Sequence, residues 1–172
     1  IKAAKDVGIP VLAVSNEPGA AGAALIAGYS GPDDTVQGAL AAEMMHEALG
    51  GKGNVVMIEG TPGQSTTLAR RKGFEERLKS LNSGVKILAR QSANWDPVKA
   101  KAVTEDFLTT HGDRINGLFS QDDNTAAAAA ETIKAAGKHF QGCMCYTLTE
   151  PRLGGEVYNI DYYVKKAKEL EA

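Results

Sequence analysis

One recurring order constrains this sequence more than any other feature. A short apolar run, a polar loop and a stretch of helical periodicity follow one another four times. The apolar runs are Ile9-Pro-Val-Leu-Ala-Val14, Asn54-Val-Val-Met-Ile58, Val85-Lys-Ile-Leu-Ala89 and residues 115–120. Runs of this length, bounded by Gly, Pro, Asn and Ser, predict buried strands. A further short apolar run at 24–27 precedes Tyr29-Ser-Gly-Pro-Asp-Asp34, whose two aspartates are placed to cap a helix reaching about Leu49. Gly50-Gly51 ends that helix, Pro97 occupies the first turn of a later one, and Gly137 closes the one over 125–136. The spacing predicts inward faces formed by Val36, Leu40, Met44 and Ala48, then by Leu68, Phe74, Leu78 and Leu81, then by Val98, Ala102 and Phe107. Arg70-Arg71-Lys72 reads as a solvated charge run, and the alanines at 126–130 predict close helix–sheet packing. Strands that alternate with helices run parallel and carry helices on both faces. The expected fold is therefore α/β, a doubly wound parallel sheet.

Composition narrows the functional classes. With 19 basic and 21 acidic residues in 172, there is no basic stripe to suit a nucleic-acid backbone or an anionic membrane. No apolar run approaches the ~20 residues of a membrane span, and the first residues lack the apolar core of a leader peptide. No Gly-x-Ser-x-Gly or His-Glu-x-x-His motif offers a catalytic centre, and Gly50-Gly-Lys-Gly53 precedes a strand where a phosphate loop would follow one. Cys143 and Cys145 read as small apolar residues on a buried strand, and with His139 they match no zinc spacing. No cofactor, metal or catalytic residue is expected.

In parallel α/β sheets ligands bind beyond the carboxyl ends of the strands. The loops there carry Ser15-Asn16, Gly63-Gln64, Asn94-Trp95-Asp96 and Asp122-Asp123. Amides, hydroxyls and carboxylates with one aromatic suit a neutral, hydroxyl-rich ligand, because the polar groups take hydroxyls and the ring takes an apolar sugar face. Of the two aspartates, Asp122 is the candidate ligand residue and Asp123 the helix cap.

Several stretches resemble the type I periplasmic sugar-binding proteins of ABC importers, the ribose-type family. They are Lys2-Ala-Ala-Lys-Asp-Val-Gly-Ile-Pro10, Tyr29-Ser-Gly-Pro-Asp-Asp34, Gly50-Gly-Lys-Gly-Asn-Val-Val56, Gly73-Phe74, Ala93-Asn-Trp-Asp96 and Leu118-Phe-Ser-Gln-Asp-Asp123. No one motif is specific, but their order and spacing from Lys2 to Gly137 are. The resemblance implies two lobes joined by three crossings. Residues 1–30 would end the amino-terminal lobe, 31–155 would form the carboxy-terminal lobe, and 156–172 would hold the final crossing and a tail. It implies a fragment, since the first units of the amino-terminal lobe have no counterpart here.

The same resemblance places Trp95 against a sugar ring and Asp122 on its hydroxyls, with Glu150 near a polar ligand position, while Gln64 is a candidate from its loop beyond a strand end. Ser15 and Asn16 stand where ribose-type relatives have an Asp-Arg pair, and Leu68 stands in place of an arginine, which argues against ribose itself. The implied protein is a monomer that clamps a monosaccharide or polyol by hinge closure and presents it to a membrane permease, without chemistry on the ligand. Its implied location is the periplasm, or the cell exterior with a lipid anchor. The alternative within the same fold is the effector-binding domain of a LacI-type transcription regulator, and an α/β enzyme is the third reading.

Overall fold

The computed structural model describes residues 1–140 and, as backbone, residues 143–145. Two parallel sheets carry the architecture. The smaller joins β1 (Leu12–Val14) to β2 (Gly28–Ser30), with the short helices α1 (Lys2–Asp6) and α2 (Gly19–Ala23) before and between them. The larger holds β3 (Lys52–Glu59), β4 (Gly84–Ser92), β5 (Gly117–Ser120) and β6 (Cys143–Cys145) in the spatial order β4-β3-β5-β6, all parallel. Between them run α3 (Asp34–Ala48), α4 (Ser65–Ser80), α5 (Pro97–His111) and α6 (Asp123–Ala135). The α/β alternation expected from the sequence is present, with strand order reversing across β3.

The central strand shows why the sheet is covered on both sides. Successive side chains of Val55-Val-Met-Ile58 point to opposite faces, and all four are buried. Val55 and Met57 join Met45, Phe74, Leu78 and Phe119 in one layer under α3 and α4. Val56 and Ile58 join Val103, Phe107, Leu118 and Ile133 in the other, under α5 and α6. Phe74 and Phe119 stack with centroids 4.5 Å apart and rings 7° from parallel. Each such side chain contributes about 1.5–3 kcal/mol by leaving water, so the two layers dominate the stability of this sheet. Ala126, Ala128 and Ala129 are buried, as close packing of α6 requires.

Helix ends follow local chemistry. The Asp33 side chain accepts from the backbone N–H of Thr35 and Val36 at 2.9 and 3.1 Å, and Asp96 caps α5 in the same way ahead of Pro97. Asp34 is the first helical residue instead of a second cap.

Helix faces depart from the sequence reading. On α3 the buried residues are Asp34, Gln37, Gly38, Ala41, Ala42 and Met45, while Val36, Leu40 and Ala48 are exposed and Met44 is half-buried. The reason is the crossing with α4. A Cβ on Gly38 would stand 2.0 Å from the Arg70 carbonyl oxygen, and one on Gly73 would stand 1.9 Å from that of Thr35. Only a small-residue stripe lets the two backbones approach so closely, so that stripe faces inward and the larger apolar one faces out. On α4, Phe74 and Leu78 are buried as expected, but Leu68 is 42% exposed. On α5, Phe107 is buried, whereas Val98 and Ala102 are exposed and Ala100, Val103 and Thr104 take the inward face.

Two further expectations are corrected. The run over 9–14 is not a buried strand: β1 spans three residues, and Leu12 and Val14 are 72% and 70% exposed, because no described layer covers the two-stranded sheet. Arg70 is not solvated. It is 7% exposed, since it stands three and four residues before Gly73 and Phe74, on the inward face of α4. The final crossing and tail expected over 156–172 and Glu150 lie outside the described residues, as do the side chains of Cys143 and Cys145.

Candidate ligand-binding site

The loops beyond the carboxyl ends of β3, β4 and β5 converge on Gly60. Its N–H donates to Gln121 Oε1 at 3.0 Å, and its carbonyl accepts from the Ser92 hydroxyl at 2.5 Å. The Gln121 amide in turn donates to the Thr67 carbonyl at 3.1 Å. Gln121 is fully buried, so each of these bonds replaces water that cannot reach it. One amide side chain thereby fastens the loop after β3, the first turns of α4 and the end of β5 to one another.

The Trp95 ring lies against Gly60. An ideal Cβ there would fall 1.9 Å from Cζ2 of the indole, so the absence of a side chain is what admits the ring. The indole Nε1 donates to Gln64 Oε1 at 2.6 Å, and Gln64 is the residue that opens α4. Asn94 and Trp95 both have left-handed backbone conformations, φ 53° and 62°. Asn94 is further tied to Ser92 through its N–H and side-chain oxygen, both 3.1 Å from the hydroxyl.

Beneath this loop cluster sits a buried charge pair. Arg70 Nε lies 2.9 Å from Asp34 Oδ1, with the two side chains 9% and 6% exposed. The same guanidinium donates to the Gln121 carbonyl, and its Cζ is 5.9 Å from the Trp95 ring centroid, within cation–π range. Sequence reasoning missed Gly60, Arg70 and Gln121. For Arg70 the helical spacing to Phe74 was the available signal. Gln121 carried one too, as a polar residue directly continuing the wholly buried β5.

The cap of α6 is Asp122, not Asp123 as expected. Asp122 is the N-cap of α6, accepting from the N–H of Asn124 and Thr125 at 3.0 and 3.1 Å and from the Thr125 hydroxyl. The helix starts at Asp123, two residues earlier than the sequence suggested, directly after this cap. Asp123 Oδ1 is buried with no hydrogen-bond partner among the described residues. Burial raises its carboxyl above the ordinary 3.8, the Asp122 charge adds to the rise, and Arg70 opposes it.

The other expected site residues fall into two groups. Gln64 and Trp95 are joined directly. Ser15 and Asn16 are exposed at the end of β1, but the Thr66 hydroxyl donates to Asn16 Oδ1 at 3.2 Å and the Ser65 hydroxyl to the Glu17 carbonyl at 2.5 Å. The loop after β1 therefore meets the first turn of α4, one residue from Gln64. The Tyr29 hydroxyl, on the path to α3, donates to the Ser15 carbonyl at 2.9 Å. The loop cluster thus joins an aromatic ring to the Gln64 amide and brings the Asn16 amide to the adjoining turn, with the Arg70 guanidinium buried beneath.

Comparison with known proteins agrees with this fold. Residues 1–151 match the family model described as a periplasmic binding protein domain. The chain is 35% identical over 142 residues to a xylitol-binding protein of Mycolicibacterium smegmatis, covering 80% of this chain and 38% of that protein. It is 30% identical to the ribose import binding protein RbsB of Bacillus subtilis, covering 80% and 43%. Among solved structures it superposes on a galactofuranose binding protein with TM-score 0.73 at 30% identity, covering 80% and 47%. It also superposes on a periplasmic solute binding protein from Actinobacillus succinogenes with bound D-allose, with TM-score 0.68 at 36% identity, covering 79% and 49%. The chain spans less than half the length of the curated relatives it matches. With a parallel α/β fold, a loop cluster at the strand ends and a family match over most of its residues, this chain belongs to the periplasmic binding protein family.

Proposed function

We propose that this chain recognises a monosaccharide or polyol as part of the solute-binding component of a carbohydrate ABC importer, and performs no chemistry on it. The observation that carries the reading is the Trp95 ring, seated on Gly60 and fixed at its polar edge by Gln64 at the carboxyl end of the sheet. A fixed aromatic face with amides and carboxylates around it suits the alternating apolar and hydroxyl faces of a sugar. Trp95 would stack on the ring, while Asp122, Gln64, Asn16 and Ser15 would take hydroxyls, with Glu150 contributing from the later chain. The names of the relatives, which include xylitol, ribose and galactofuranose binders, support the ligand class.

In this reading residues 1–30 belong to one lobe, 31–155 to the other, and 156–172 to the last crossing. A hinge motion closes the lobes on the ligand, and the closed monomer docks on a membrane permease from the periplasm or from a lipid anchor on the cell exterior. Native mass spectrometry against a panel of neutral monosaccharides and polyols tests it. One member of the panel should bind with unit stoichiometry and be lost in Trp95→Ala. Chemical conversion of that ligand, or equal binding by Trp95→Ala, would sink the proposal.

A further inference from the structure

We propose that Arg70 is the positioning residue of this site. Its buried guanidinium sets the Trp95 ring and makes the ring's orientation answer to Asp34 on the neighbouring helix. The inference rests on the reading of Trp95 as the ligand platform, and goes beyond it by naming what holds the platform.

A long cationic side chain at 7% exposure is unusual, because such residues normally keep the head group in water. Here the head group is engaged by three separate elements. Asp34 takes Nε from the start of α3, the Gln121 carbonyl takes an N–H from the turn between β5 and α6, and Trp95 presents its ring from the loop between β4 and α5. A planar guanidinium with donors fixed in a fork can hold two acceptors and face a π-system at once, and an ammonium cannot reproduce that arrangement. Stability alone does not account for the pair, since replacing a buried ion pair with apolar residues is frequently neutral or stabilising.

The helix crossing gives the arrangement its coupling. Gly38 of α3 lies directly on the Arg70 backbone, where a Cβ would stand 2.0 Å from the Arg70 carbonyl oxygen. A shift of α3 therefore moves both the Arg70 backbone and the carboxylate that anchors its head group. The Gln121 carbonyl belongs to the residue whose side chain holds the Gly60 N–H, so the seat of the ring and the cation beside it share one support.

Trp95 is the only tryptophan, so its fluorescence reports this geometry without any ligand. The decisive variant is the double substitution Arg70→Met with Asp34→Asn, which removes the cation without stranding a buried carboxylate. With far-UV circular dichroism matching the parent, acrylamide quenching of Trp95 should rise about two- to fivefold, the population change expected from losing a cation–π contact. Arg70→Lys, which keeps the charge and loses the fork, should fall between parent and double variant. Asp34→Asn alone should also raise quenching, although it alters a residue on another helix. Unchanged quenching in the folded double variant would overturn the proposal and leave Arg70 as packing only. Because the readout needs no sugar, that failure is distinct from failure of the ligand reading, which would show as unaltered sugar binding in Trp95→Ala.

Discussion

Replacing Gly73 with alanine adds one methyl group at the point where α3 crosses α4. The new Cβ would stand 1.9 Å from the Thr35 carbonyl oxygen and 3.0 Å from the Ala39 nitrogen. Both atoms are helical backbone, so neither can rotate away, and restoring an ordinary contact of 3.4 Å separates the helices by about 1.5 Å. Overpacking of this kind costs about 1–3 kcal/mol, and an unyielding neighbour places it at the upper end. Better helix propensity of Ala over Gly returns about 1 kcal/mol. The Arg70–Asp34 contact, 2.9 Å across the same crossing, is then stretched, and breaking a buried pair costs up to several kcal/mol more. The net expectation is a loss of at least about 2 kcal/mol, or a fall in Tm of about 4–8 °C for a chain of this size. Urea and thermal unfolding followed by far-UV circular dichroism measure it. Gly38→Ala meets the reciprocal contact, so the two substitutions together should cost less than the sum of each alone. A Gly73→Ala protein as stable as its parent would mean that propensity outweighs the crossing and that the close approach is not a constraint.

Three other outcomes are expected. Gly60→Ala should displace the Trp95 ring from its seat, shifting its emission and weakening sugar binding about two- to tenfold, the scale of a lost aromatic contact; calorimetric titration with parent-like affinity would contradict the seat. Asp122→Ala should cost about 1 kcal/mol of stability through loss of the α6 cap, seen as a lowered urea midpoint, and a midpoint equal to the parent's would show that the cap is idle. For Asp123 the folded carboxyl is raised above 3.8, so the folded chain holds the proton more tightly than the unfolded one. Its contribution is greatest below 3.8 and is lost as pH rises through the raised value. Asp123→Asn should therefore gain on the parent as pH climbs through that window, and a parent–variant difference in urea midpoint that is flat with pH would refute the assignment.

The alternation of apolar runs and helical stretches made the fold legible, because strand length and helix caps are local properties. Asp33, Asp96, Pro97 and Gly137 all mark ends that the structure keeps. Helix orientation was not legible to the same degree. On α3 a stripe of Val36, Leu40 and Met44 competes with one of Gly38, Ala41, Ala42 and Met45, and hydropathy favours the first. The distance between backbones, a tertiary quantity, decides for the second. Trp95 and Gln64 were singled out because loop polarity points to strand ends, and the structure joins the two side chains at 2.6 Å. Arg70 was hidden because three adjacent cations read as one surface, whereas helical geometry turns only the first of them inward.

The two successive left-handed residues before α5 bear on how such a site can diverge. Asparagine tolerates φ 53° readily, but tryptophan at 62° is held against its own backbone preference, at a cost of order 1–3 kcal/mol. That strain is met when the chain folds, so if Trp95 is the platform proposed above, less affinity is spent on ordering it. It also constrains the loop's length, since the ring must still reach its seat on Gly60. On the proposed function, related chains with this loop should therefore change ligand by exchanging side chains at 64, 95 and 122, and not by insertion or deletion between β4 and α5.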